Sequence, residues 1–251
     1  MSNKPSGITG LNTGWAHYSN LVFSLILDEG SGIPVDSTGG ATVNFSGDIA
    51  WATAPDGDPG VKVGAGAPVP IFNINSVPAR AAGTIVQMVY VNSADTTNVS
   101  RLFSDSGTEN LELNRQGPSN TQLEVGSNAV SNFADVTIWE TTGYKVITST
   151  WDNQAIVSGE GRSIYIDGTQ SFNVDDTLGG AAHVAPLNIM SQPLGNAPFV
   201  DAYLVGMFAL DKVLTPSDVT TLIADEWAWI AATGGSPVPV LANHHMNMMR
   251  G

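Results

Sequence analysis

The 251-residue chain has no cysteine and only 9 lysine or arginine residues, against 23 aspartate or glutamate. Without cysteine there are no disulfides, no thiolate metal ligands and no thiol nucleophile. The compartment stays open, because a large core needs no disulfide in any redox environment. The scarcity of cations says more. Counterion release on a nucleic acid needs clustered lysine and arginine, and docking on anionic lipid needs the same. Here the nine are scattered without a run, and the formal net charge is −14. The expectation is no nucleic-acid partner and no membrane partner. Long hydrophobic stretches are missing too. The most apolar run, Leu21–Leu27, is seven residues, too short for a bilayer span of about 20 residues, and reads as a buried strand. Met1–Pro5 lacks the apolar stretch of a secretory signal.

What is present is a globular composition, 42% hydrophobic and 13% charged. A compact chain of this length buries roughly 70–75% of its extended surface. Short apolar runs alternate with Gly, Pro, Asn, Asp and Ser, the texture of an antiparallel β protein. Strands are expected at Leu21–Leu27, Thr84–Val91, Leu111–Leu113, Gln122–Val125, Lys145–Trp151, Ser163–Ile166, Leu187–Met190 and Tyr203–Leu210. In Ser163–Ile166, Ile164 and Ile166 point one way and Ser163 and Tyr165 the other, and Asp167-Gly168 suits a tight hairpin turn. Thr84–Val91 is apolar almost throughout, as in a strand covered on both faces. This spacing of strands and turns predicts a sandwich or jelly roll.

One helix is expected near the end. Thr215-Pro216-Ser217-Asp218 offers a hydroxyl cap, a proline at the first helical position and an acid in the first turn. Val219, Leu222, Ile223, Trp227 and Ile230 then form a one-sided stripe, and Gly234-Gly235 supplies the stop. The stripe reads first as packing against a sheet. The chain divides into an N-terminal arm (1–19), a domain (20–233) and a C-terminal arm (234–251), the last with a Pro-x-Pro segment and a Met-rich tip.

Several of these segments together resemble a known family. Phe23–Gly39 (FSLILDEGSGIPVDSTG) resembles the opening strand and loop of laminin-G-like, concanavalin-A-like jelly rolls. Gly83–Val91 and Leu102-Phe103-Ser104 are similar to its early core strands. Tyr144–Asp152 followed by Ser163–Gly168 is similar to its central hairpin, and Phe199–Trp227 to its closing strand, turn and terminal helix. The order and spacing of these segments carry the likeness over about residues 20–230. The ending Asp225–Ile230 (DEWAWI) resembles the close of single-domain laminin-G-like proteins of tailed-phage structural gene clusters. The resemblance implies an all-β, antiparallel jelly-roll sandwich with one C-terminal helix and extended terminal arms. It also implies a virion protein, which needs no secretory signal because lysis releases it.

No catalytic constellation is legible. Glucanases of the superfamily carry Glu-x-Asp-x-(x)-Glu on one strand, which this chain lacks. Glu109 and Glu112 are three apart and point to opposite faces of a strand, and the adjacent Asp175 and Asp176 diverge likewise. There is no Gly-x-Ser-x-Gly elbow, and Gly64–Pro68 lacks the lysine of a phosphate loop. His17, His183 and the neighbours His244 and His245 have no ligand spacing for a transition metal. The resemblance implies calcium instead, through oxygen donors at loop positions such as Asp152, Asn153 and Asp201. The family's acidic pair in the closing strand is replaced here by Val205-Gly206. Asp56–Gly60 is read as an ordinary turn. For glycan binding the candidate aromatic platforms are Trp15, Trp51, Trp139 and Tyr144.

The expectation is a non-enzymatic structural protein on the outer surface of a phage virion, decorating the head. The terminal arms would dock on the major capsid protein, on other virion proteins or on sister copies. The contact residues would be Trp227, Trp229, Ile230, Val238, Val240, Leu241, Met246, Met248 and Met249. The alternatives are a carbohydrate-binding module or receptor-binding tail protein that recognises a host-surface glycan, and then a glycoside hydrolase. No cofactor other than calcium is expected. In a repetitive shell the net negative charge would face water and keep particles apart.

Overall fold

The computed structural model describes residues 4–47, 49–63, 71–75, 77, 82–92, 100–105, 111–115, 121–125, 133–134, 141–152, 161–174, 187–190 and 202–232. The chain opens with β1 (Ile8–Leu11), a single 3-10 turn (Tyr18–Asn20), β2 (Leu21–Leu25), β3 (Thr42–Ser46), β4 (Ile49–Thr53), β5 (Pro59–Val63) and β6 (Ile71–Asn75). There follow β7 (Ala82–Val91), β8 (Ser100–Asp105), β9 (Leu111–Arg115), β10 (Thr121–Val125), β11 (Phe133–Ala134) and β12 (Gly143–Asp152). The last part holds β13 (Arg162–Ile166), β14 (Thr169–Val174), β15 (Leu187–Ile189), β16 (Ala202–Leu210), the helix α1 (Pro216–Ala224) and β17 (Ile230–Ala232).

The strands form two large antiparallel sheets. One has seven strands in the order β11-β10-β9-β8-β15-β6-β3. The other has eight, in the order β14-β13-β12-β7-β16-β5-β4, with β2 added beside β16. Alternation builds the main core between them. Phe72, Ile74, Phe103, Leu187 and Ile189 come from the first sheet, and Phe23, Val61, Ile85, Val89, Ile147, Ile164 and Leu204 from the second. The same alternation gives the eight-stranded sheet a second buried face. There Val86, Met88, Val146, Tyr165 and Phe208 pack under Leu214, Val219, Leu222, Trp227 and Trp229. Strand β7 is therefore covered on both sides, as its unbroken apolar run requires. The Asp167-Gly168 turn forms as expected, with φ of 50° and 79°.

The Asp-Ser-Thr-Gly turn is built around one carboxylate. Asp36 is 4% exposed. Its Oδ1 accepts from the Ser24 and Thr38 amides, and its Oδ2 from the Thr38 hydroxyl and the Gly40 and Ala41 amides. A buried charge is tolerable when hydrogen bonds from fixed donors replace its water.

The helix starts where the sequence places it. The Thr215 hydroxyl accepts from the Asp218 amide at 3.2 Å and the Asp218 carboxylate accepts from the Thr215 amide at 3.0 Å, a reciprocal cap with Pro216 at the first helical position. It ends earlier than the apolar stripe predicts. After Ala224 the backbone leaves helical geometry at Asp225 (φ −145°, ψ 77°), and Trp227 and Trp229 sit in a turn leading into β17. The winning interaction is tertiary: β17 pairs antiparallel with β1, Ile8 opposite Ala232 and Leu11 opposite Ile230. The predicted Gly234-Gly235 stop lies outside the described residues, as do the C-terminal arm and residues 1–3 of the N-terminal one.

Candidate binding surface

Residues 4–19, expected as an arm free to reach a neighbour, lie on their own domain. Lys4 anchors them. Along β16, the strand β5 pairs with Ala202–Leu204 and β2 with Met207–Leu210, so the two part at Val205-Gly206. Strands that diverge leave backbone carbonyls without ladder partners, and buried carbonyls need donors. The Lys4 ammonium enters this gap and donates to the carbonyls of Ile26 (2.6 Å), Leu27 (2.9 Å), Pro59 (3.0 Å) and Val205 (2.9 Å). It lies 5.6 Å from the centre of the Trp227 ring, close enough for a cation–π contact. Burial lowers its pKa to about 8, opposed by Asp28, Asp58 and Glu29. The charge at the Val205 position is thus the chain's own ammonium.

Further along the segment, Trp15 meets Phe208 edge-on at 5.3 Å and His17 at 5.2 Å. His17 Nε2 stands 3.8 Å from Asp218 Oδ1, and Lys212 Nζ 3.4 Å from Asp218 Oδ2. Burial first, then Lys212, depresses the His17 pKa, with Asp218 opposing. Trp15 is consequently committed to packing on one side and only half-buried on the other.

The contact residues expected at the chain's end divide in two. Trp227, Trp229 and Ile230 are 5%, 0% and 6% exposed. Trp229 stacks on Trp227 at 6.0 Å and touches Phe208 at 5.1 Å. Their rings close the second core and hold the N-terminal segment, so in the single chain they do not form an outward contact face. Val238, Val240, Leu241, Met246, Met248 and Met249 lie outside the described residues.

Of the aromatic platforms, Trp51 sits on the edge strand β4. Its Nε1 donates to the Gly32 carbonyl at 2.7 Å and its ring lies 6.2 Å from Phe45, closing the edge of the sandwich. The neighbouring loop exposes Ile33 and Val35. Tyr144 is half-buried and registers with Tyr90, which registers with Tyr203, which registers with Lys62. Tyrosine is favoured in strands, and such cross-strand pairs are ordinary sheet packing. Trp139 lies outside the described residues. For calcium, Asp152 ends β12 with its amide on the Gly161 carbonyl at 2.8 Å, while Asn153 and Asp201 are outside the described residues. Among the described residues no three His, Asp or Glu side chains gather as a metal site, and the carbonyl of Val205 is taken by Lys4.

One arrangement has no counterpart in the linear reading. On the outer face of the seven-stranded sheet, Asn44 of β3 registers with Asn73 of β6, Asn73 with Asn188 of β15, and Asn188 with Ser104 of β8. The register continues from Ser104 to position 112 on β9 and from there to position 124 on β10, both glutamate. The Asn73 Oδ1 and Ser104 Oγ atoms are buried without a hydrogen-bond partner. An unsatisfied buried polar atom costs about 1–3 kcal/mol. The only sequence signal for this row was asparagine inside strands, where it is depleted.

No family model matches the chain, and no curated protein is similar to it in sequence. Solved structures do match. The binding domain of botulinum neurotoxin DC in complex with rat synaptotagmin II has a TM-score of 0.62 at 13% identity, over 82% of this chain and 52% of that one. The binding domain of Paraclostridial Mosquitocidal Protein 1 has a TM-score of 0.64 at 12% identity, over 84% and 53%. A structure of botulinum neurotoxin type C, whose cell entry depends on two ganglioside molecules, matches with a TM-score of 0.62 at 13% identity, over 82% and 51%. They share its fold. The chain spans about half the length of these neighbours. Among the described residues no helix is long and apolar enough to cross a membrane.

Proposed function

We propose that the chain is a non-enzymatic binding module of the laminin-G-like, concanavalin-A-like jelly-roll type, displayed on the outer surface of a tailed-phage virion as a head decoration. The observation that carries attachment at one point is the β1–β17 pair. Ile8 stands opposite Ala232, so the last described strand lies beside the first on one side of the body. Residues 234–251 are then the natural tether to the major capsid protein or to sister copies. The short N-terminal segment serves the body itself through Lys4. The sequence resemblance to phage structural proteins supports the virion setting, and the likeness in fold to toxin binding domains supports a binding role. A net charge of −14 suits a face turned to water, away from packaged nucleic acid.

Deleting residues 234–251 tests attachment. The shortened chain should remain folded, with unchanged circular dichroism and melting, and should no longer co-sediment with particles. Retention on particles would overturn the tether. The non-enzymatic part has its own test, because the register brings Glu112 opposite Glu124, and directly opposed residues stand about 5 Å apart at Cα. Hydrolysis of an oligosaccharide by the wild-type chain, lost in Glu112→Gln, would overturn it.

A further inference from the structure

Where a sheet ends, its last strand presents unpaired backbone N–H and C=O groups that invite another strand, and folded chains blunt such edges with charge, proline, a bulge or extreme shortness. Both sheets here are blunted at one end only. Strand β11, which ends the seven-stranded sheet, has two residues, and β14, which ends the eight-stranded one, meets β13 through a register shift at Ile164/Tyr165. At the far ends lie β3 (TVNFS) and β4 (IAWAT). Each pairs with its inner neighbour over five positions without a shift. Their ten residues include no charge, no proline and no glycine, and Asp48 falls between the strands rather than in either. The Ile49 amide donates to the Gly47 carbonyl at 2.9 Å, so the chain steps from one sheet to the other in a tight turn and both edges share one side of the sandwich. Among the described residues nothing pairs with the outer edge of either strand.

The side chains along this side are apolar as well. Phe45, Ile49 and Trp51 are only half-buried. In the loop after β2, Ile33 and Val35 are 57% and 59% exposed, the most exposed large apolar side chains among the described residues. The loop is fixed to β4 by the Trp51 bond to the Gly32 carbonyl. Glu29 is turned onto the Val35 amide, which donates to its Oε1 at 2.9 Å, and Pro34 and Asp36 are buried. A loop tied at these points cannot turn Ile33 and Val35 inward. Clustered exposed apolar groups beside an unprotected edge mark a contact surface.

We infer that this side of the sandwich joins two copies of the chain, β4 pairing antiparallel with β4 of the second copy about a two-fold axis and Ile33 and Val35 packing across it. Charge selects this occupant. In a two-fold contact a surface meets itself, so a charged residue on it would lie near its like. Two molecules at −14 repel, and they can approach closely only across an uncharged edge. A cationic partner would favour acids at this edge and an acidic partner lysines, and β3 and β4 carry neither. Antiparallel pairing supplies the backbone groups of both β4 edges with partners. The aliphatic pair adds apolar area that a five-residue strand lacks. The contact uses neither terminal arm and is separate from attachment to a particle.

Sedimentation velocity of the full chain over a range of concentrations tests this. The wild-type protein should pass from monomer to dimer as concentration rises. Ala50→Glu places a carboxylate at an exposed position opposite Lys62, where an opposite-charge pair keeps the fold, but it brings two acids together in the dimer. It should weaken dimerisation at least about tenfold, and so should Val35→Ser in the loop, both with unchanged far-ultraviolet circular dichroism. Gln170→Lys on β14 and deletion of residues 234–251 should leave the dimer intact. A wild-type chain that stays monomeric would sink the inference, as would a dimer that withstands either Ala50→Glu or Val35→Ser. Loss of the dimer on deleting residues 234–251 would move the association to the arm and overturn it equally.

Discussion

Lys4 Nζ donates to the carbonyl oxygen of Val205 at 2.9 Å, 201 positions along the chain. The contact joins the N-terminal segment to the strand that the whole eight-stranded sheet is built around. It exists because β2 and β5 separate there and leave carbonyls that no strand can serve.

Replacing Lys4 with methionine keeps much of the stem and removes the ammonium. We expect a loss of about 2 kcal/mol in urea denaturation, the cost of leaving buried acceptors unpaired. Hydrogen exchange should rise selectively at the amides of β1 and β17, which the lysine holds down. Uniform protection across both strands would show that the pairing stands without it.

Asp36→Asn probes the turn after β2. A carboxamide has one accepting oxygen and one donating nitrogen, whereas the five hydrogen bonds to Asp36 described above all require acceptors. Either orientation turns a donor against donors. The expected destabilisation is about 3 kcal/mol, in line with hydrogen bonds to a charged group, read as a lower urea midpoint with an unchanged slope.

Gly206→Ala tests the packing of the two tryptophans. A Cβ at 206 would lie 3.0 Å and 3.1 Å from atoms of the Trp227 ring. The ring is held between β16 and Lys4, and it cannot retreat without disturbing the cation–π contact. Overpacking of this kind costs about 1–3 kcal/mol, and the near-ultraviolet circular dichroism of the stacked rings should change with it.

His17 sets a pH dependence. Its folded pKa lies below the ordinary 6.5, through burial and the adjacent Lys212, with Asp218 opposing. The unfolded chain therefore takes up this proton first as pH falls. The contribution is fully present above pH 6.5 and declines as the pH drops below that value. Denaturation at pH 7.5 and pH 5 should show a steeper loss for the wild-type protein than for His17→Gln, with Lys212 and Asp218 common to both. Equal losses would remove His17 from the account.

The local features of the fold were legible because each depends on few residues. The buried run of β7, the Asp-Gly turn after β13 and the Thr215 cap all follow from spacing and side-chain chemistry within a few positions. Other elements rest on pairing at a distance. Strand β1 reads as a polar arm, and it becomes a strand only because β17 is beside it. The same pairing ends the helix before Trp227 and turns the expected contact tryptophans inward. The asparagine row was invisible for a related reason: Asn44, Asn73 and Asn188 lie far apart in sequence and meet only because β6 pairs with β3 on one side and with β15 on the other.

The sequence by itself determined that the chain is a cysteine-free, acidic, β-rich domain with one capped helix, since composition and short-range periodicity are properties of the chain alone. Tertiary structure decided the rest. Register set which residues share a face, and a one-residue slip would have sent the asparagines inward. The split between β2 and β5 decided that a lone lysine near the start becomes a buried anchor. Local spacing cannot encode contacts that strand order and register create between residues distant in the chain.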